Sequence, residues 1–94
     1  MNKYELTVVL PGKATAAKKK SVVEKIEKVL KTFSGKVIRL SDWGEIELAY
    51  KMKKNDTGVF LHFLIELNKE GVRDVESKLR VEEDIIRYLL VSIK

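Results

Sequence analysis

Residues 40–67 read LSDWGEIELAYKMKKNDTGVFLHFLIEL, and this stretch decides the fold. From just upstream, apolar residues fall at alternate positions: Ile38 and Leu40, then Ile46, Leu48, Tyr50 and Met52. A period of two marks a half-buried strand. The pattern breaks at Asp42-Trp43-Gly44, where glycine inside a strand points to a bulge or a sharp coil. Lys53-Lys54-Asn55-Asp56-Thr57-Gly58 follows, with Asn, Asp and Gly tolerating the positive backbone angles of a reversal. Val59 to Leu67 is then nearly all apolar, as in a central strand. Together the two runs make one long β-hairpin.

Upstream, Tyr4, Leu6, Val8 and Leu10 share one face of a first strand from about Lys3 to Leu10, which Pro11-Gly12 ends. A helix is expected over roughly Thr15 to Ser34, with Val22, Ile26, Val29, Leu30 and Phe33 as its apolar stripe and Val23 at the margin. Glu24 precedes Lys28, and Glu27 precedes Lys31, at the i,i+4 spacing that favours ion pairs. Gly35 is the expected left-handed stop, and Lys19 falls towards the apolar stripe, so it either frays the first turn or snorkels. A second strand starts at Lys36 and enters the hairpin. Beyond Leu67, Asn68 is a candidate N-cap for a helix that turns Val72, Val75 and Leu79 inward. Gly71 weakens its first turn, and Ile85 to Ile93 reads as the last strand.

The order is β-α-β, β-α-β, with the hairpin joining the halves. Right-handed crossovers then place both helices on one face of a four-stranded antiparallel sheet in the order 4-1-3-2. That is an α+β, ferredoxin-like sandwich, here a single domain over residues 1–94. The expected core includes Leu6, Val8, Ile26, Leu30, Leu48, Val75, Leu79 and Leu90.

Composition narrows the function. The chain is 45% hydrophobic and 35% charged, which fits a globular protein. No apolar run approaches the ~20 residues of a membrane span, and no signal pattern opens the chain. Cysteine is absent, so disulfides and thiolate metal sites are excluded, and a cytoplasmic protein is expected. The net charge is +5, but it is localised. Residues 13–36 hold eight lysines against Glu24 and Glu27, a balance of +6; the remaining eleven basic and twelve acidic residues give −1. Lys13 and Lys18 to Lys20 are the only dense run, and they fit either a solvated helix face or a phosphate contact.

Catalysis has little to work with. His62 is the only histidine and falls mid-strand, and no phosphate-binding glycine loop is present. Glu82-Glu83-Asp84 is the one acidic cluster, without a hard-metal ligand loop, so a solvated loop is expected and no metal, cofactor or catalytic residue is assigned. Two alternatives stay open on pattern alone. One is an RNA-recognition motif around Thr57 to Phe63, which lacks that motif's leading basic residue and first aromatic. The other is a small-molecule-sensing regulatory domain, supported by fold analogy only.

Asp42-Trp43-Gly44, Leu48-Ala49-Tyr50, Lys54 and Gly58 resemble the signature of the bacterial small-subunit ribosomal protein S-six family. Tyr4-Glu5 resembles its opening, and Val81 to Val91, with Arg87, its closing segment. The chain departs from the family at Glu45-Ile46-Glu47, where cations are usual, at Lys51 in place of proline, and at Val59 in place of an aromatic. The resemblance implies a non-catalytic ribosomal protein that binds small-subunit ribosomal RNA as a pair with ribosomal protein S-eighteen, with no membrane and no small-molecule substrate. Lys3, Lys51, Lys53, Lys54, Arg80 and Arg87 are then the candidate RNA contacts. Trp43, Glu45, Ile46, Glu47, Leu48 and Tyr50 are the candidate partner contacts, because the second strand is an edge strand in this topology. Trp43 is opposite in parity to Ile38 and Leu40, which leaves it either packed against the bulge or facing a partner.

Overall fold

Alternation of large apolar and polar residues carries residues 2–11 into the middle of the sheet. The computed structural model describes the backbone of residues 2–52 and 55–93, and the side chains of residues 2–47 and 57–93. In it β1 spans Asn2–Pro11 and buries Tyr4, Leu6, Val8 and Leu10 on one face. The helix α1, Ala16–Thr32, is capped by Thr15, whose hydroxyl accepts the Lys18 amide at 3.1 Å. Val22, Ile26 and Leu30 are buried, and Val23, Val29 and Phe33 pack at the margins.

Its C-terminus differs from the expected stop by one residue. Ser34, not Gly35, takes the left-handed conformation, with φ 61°. The Gly35 amide bonds the Leu30 carbonyl at 2.7 Å and the Ser34 amide bonds that of Lys31, which together close the helix. Gly35 is required for space instead: a Cβ there would stand 2.7 Å from the Glu66 carbonyl oxygen. The expected Glu24–Lys28 and Glu27–Lys31 pairs do not form among the described residues; Lys18 and Lys25 reach across to a loop instead.

The hairpin consists of β2, Lys36–Met52, and β3, Asn55–Leu67. Asn55 to Gly58, expected to be turn, belong to β3 because the long β2 offers them backbone partners, Gly58 opposite Ile46 and Thr57 opposite Glu47. The start of the expected reversal, Lys53-Lys54, lies outside the described residues. Register shifts between Val37 and Arg39, and between Asp42 and Gly44, leave Ile38 and Trp43 as the extra residues of two bulges. Gly44 has φ 77°, a conformation that glycine adopts without strain, and its amide is held by Asp42 at 2.8 Å. These slips, with the edge position, overturn the half-buried reading of this strand: Ile38, Leu40 and Ile46 are all exposed.

After β3, Asn68 opens a short 3-10 turn, Lys69–Gly71, without the expected side-chain cap, and α2 runs Val72–Arg80. Gly71 fits where a Cβ would press on Phe33 at 2.9 Å, so the weak first turn is the consequence of close helix packing. β4 is Arg87–Ile93, shorter than expected. Ile85 precedes it and is buried from the loop, while the Ile86 amide bonds the Val9 carbonyl at 2.9 Å. The sheet is antiparallel in the order β2-β3-β1-β4, the expected order read from the other edge. Leu6, Val8, Ile26, Leu30, Val75 and Leu79 are buried and Leu90 packs beside them; the side chain of Leu48 lies outside the described residues.

Candidate nucleic-acid and protein interface

In an antiparallel ladder, residues opposite one another share a face. Leu6, Phe63 and Leu90 therefore lie on the helix side, and the row Leu89, Thr7, His62 and Ser41 lies on the open side. The next open-side row is Val91, Glu5, Leu64 and Arg39. Trp43, freed from the ladder by its bulge, lies on this open face, its ring stacked on His62 at 5.0 Å between centroids and 7° between planes. His62 Nε2 is 3.7 Å from Glu5 Oε2. Trp43 nevertheless remains 51% exposed, Leu89 61% and Val91 46%.

The candidate partner residues are thus distributed over both sides of one edge. Trp43 and Ile46 belong to the open side, Ile46 opposite Gly58, while Glu45 and Glu47 stand opposite Val59 and Thr57 on the helix side. Glu45, Ile46 and Glu47 are all exposed. The side chains of Leu48 and Tyr50 lie outside the described residues.

Of the described candidate RNA contacts, Arg80 and Arg87 border one depression beside Tyr88, and Lys3 lies apart from them. Lys3 and Arg87 are both on the open face, but at opposite ends of β1, since Lys3 pairs with Ile93 and Val9 with Arg87. Six residue steps along the strand separate those rows, roughly 20 Å. Arg87 borders a shallow depression with Thr7, Val9, Phe60 and Leu89. Arg80 stands at the end of α2, its Nε donating to the Tyr88 hydroxyl at 3.3 Å, with Glu76 at 3.8 Å. Lys51, Lys53 and Lys54 carry side chains outside the described residues.

The dense lysine run of α1 is partly neutralised. Lys18 pairs with Asp84 at 2.9 Å, and Lys19 snorkels to Asp42 on β2 at 3.2 Å. Lys25 bonds Glu82 at 3.1 Å and approaches Asp84 at 3.8 Å. The acidic cluster before β4 is therefore a clamp onto α1, holding the loop that inserts Ile85. The Lys18 ammonium, with Lys25 behind it, lowers the Asp84 carboxyl below its ordinary 3.8. The Gly44 amide, then Lys19, does the same for Asp42.

A carboxyl lowered on folding stabilises the fold above its unfolded pKa, and that share is lost as pH falls through the folded value. Stability should therefore fall as pH drops below about 4. Asp84→Asn should lower stability at pH 7 and shrink the difference between pH 7 and pH 3, measured by urea unfolding. An unchanged difference would mean the clamp does not hold the loop.

Sequence reasoning missed Leu89 and Val91, because Ile85 to Ile93 is almost wholly apolar. Exposed Leu89 and Val91 alternate with half-buried Tyr88 and Leu90 in the structure, and no polar residue between Tyr88 and Val91 marks that alternation in the sequence.

A model of the family described as "Ribosomal protein S6" matches residues 3–92. The chain is similar to the small ribosomal subunit protein bS6 of Pelagibacter ubique, 32% identical over all of this chain and 78% of that one. The bS6 of Trichlorobacter lovleyi is also 32% identical, over 99% of this chain and 76% of its own. Among solved structures, the 30S ribosomal protein S6 of Thermotoga maritima superposes with a TM-score of 0.89 at 20% identity, covering 98% of this chain and 87% of that one.

Proposed function

The chain belongs to the ribosomal protein S6 family, and we propose that it pairs with ribosomal protein S-eighteen and, as that pair, binds the central domain of small-subunit ribosomal RNA in the platform. Family membership makes it a structural constituent of the small ribosomal subunit, on the cytoplasmic ribosome, and not an enzyme.

The observation that carries the pairing is the open sheet face. Trp43, Leu89 and Val91 stay largely exposed around a stacked histidine, on a face that neither helix covers. Exposed apolar and aromatic side chains on one face, beside an unpaired strand edge, are what a protein partner covers. Glu45 and Glu47 at that edge favour a basic partner.

Charge placement favours RNA binding by the pair over binding by the lone chain. Outside residues 13–36 the balance is −1, and within them Lys18 and Lys19 already hold aspartates. Each phosphate neutralised steepens the salt dependence of affinity, so scattered cations give weak binding and a shallow slope. Titration of a central-domain RNA fragment at several salt concentrations should show weak binding by the protein alone and tight binding beside S-eighteen. Tight, steep binding by the lone protein, abolished when Lys18, Lys19 and Lys20 are neutralised, would move the RNA site to α1.

A further inference from the structure

The helix layer carries a second apolar feature, on the face of the sheet opposite to Trp43. Between α1, α2 and the loop that follows runs a groove of about 220 Å³. Its floor and walls are Val22, Ile26, Val29, Val75, Leu79 and Val81. Val81 is 75% exposed, the highest value among the exposed large apolar residues described. The monomer gives this side chain nothing to pack against on its outer side.

The rim is basic. Lys25, Lys28 and Lys78 border the groove, and the one acid beside them, Glu82, is already bonded to Lys25. Among the described residues neither Lys28 nor Lys78 has an ion-pair partner. An occupant must therefore bring apolar groups for the floor and negative charge for the two flanks.

We propose that this groove docks an acidic amphipathic helix of a second protein. The channel between two packed helices accepts the side-chain ridge of a third, through anchors spaced i, i+3 or i+4 and i+7. Acidic residues flanking such a stripe then meet Lys28 from α1 and Lys78 from α2. A small molecule fits less well, because compact ligands take enclosed pockets of roughly 300–1,000 Å³ and this groove is smaller and only half enclosed. Duplex or single-stranded RNA fits worse still, since an apolar floor offers phosphates nothing and no aromatic lines it to stack a base. The docking face is separate from the sheet face assigned above to the ribosomal partner, so the two can be occupied together.

The test uses the full chain with labelled methyl groups and two synthetic helical peptides. Both carry the same leucine stripe at i, i+4 and i+7; one has glutamates flanking it and the other lysines at the same positions. The acidic peptide should shift the methyl signals of Val22, Val29 and Val81 saturably, and bind roughly tenfold more tightly than the basic one at low salt. Lys28→Glu with Lys78→Glu should invert that preference, and Val81→Asp should weaken both peptides. All three positions are exposed, so the variants should keep the parent melting curve. Equal binding of the two peptides, or no shift at the groove, would overturn the proposal. So would shifts confined to Leu89 and Val91, or groove shifts that follow protein concentration alone, which would make the occupant a second copy.

Discussion

Leu30→Ala is expected to destabilise the fold by about 2–5 kcal/mol, through lost transfer energy and the cavity left behind. Leu30 is fully buried on α1, one helical repeat beyond Ile26 and two beyond Val22, and it joins the helix layer to the sheet. Gly35, bonded to the Leu30 carbonyl, lies against the Glu66 backbone, so the chain around the cavity has little freedom to collapse into it. A neighbouring control sharpens the test: Lys31 is exposed and its side chain has no partner among the described residues, and Lys31→Ala should change stability by less than about 0.5 kcal/mol. Urea unfolding of both variants measures the contrast. A loss below about 1 kcal/mol for Leu30→Ala would mean that the buried stripe of α1 runs through other residues.

The elements were legible in the sequence wherever burial is enforced by a regular period. Tyr4, Leu6, Val8 and Leu10 alternate because β1 lies inside the sheet, with helices on one side. Val22, Ile26 and Leu30 recur at four-residue steps because one helix stripe must face that sheet. What escaped is what a period cannot express. The bulge at Trp43 was announced by Gly44, but an extra residue in a ladder reverses the faces beyond it without changing the apolar spacing, so the second bulge at Ile38 and the exposure of β2 went unread. Ser34 took the left-handed position beside a glycine better suited to it, because Gly35 was needed where backbone and backbone nearly touch.

The interface was less legible still, and for a different reason. Lys18 and Asp84 are far apart in sequence, and nothing in either neighbourhood announces their pairing. The lysine run therefore looked available for a phosphate backbone although two of its members are engaged. Trp43 offered parity alone, which left local packing and partner contact both open. The structure places it on the open face, where one ring face stacks on His62 and half of the side chain remains exposed. Functional identity came through the Asp42-Trp43-Gly44 and Leu48-Ala49-Tyr50 resemblance, which periodicity and charge alone would not have supplied.

Trp43→Ala is the change expected to affect partner binding most, weakening association with S-eighteen by about 2 kcal/mol or more, roughly thirtyfold. Exposed tryptophans held in one orientation contribute disproportionately to interfaces, because little rotamer entropy remains to be lost on binding. The His62 stack provides that orientation, and Gly44 and Asp42 fix the backbone beneath it. Removing the indole loses a stacking contact worth about 0.5–1.5 kcal/mol, so the free protein should stay folded. The loss of affinity should appear mainly as faster dissociation. Glu45→Lys with Glu47→Lys should act on the other rate: both acids are exposed at the edge and have no ion-pair partner among the described residues, so reversing them should slow association at low salt and matter little at high salt. Surface-plasmon kinetics of the two variants would separate these effects. If Trp43→Ala binds S-eighteen with unchanged kinetics while the charge reversal slows it, the partner approaches from the helix side of β2, where register places Glu45 and Glu47, and the open sheet face belongs to something else.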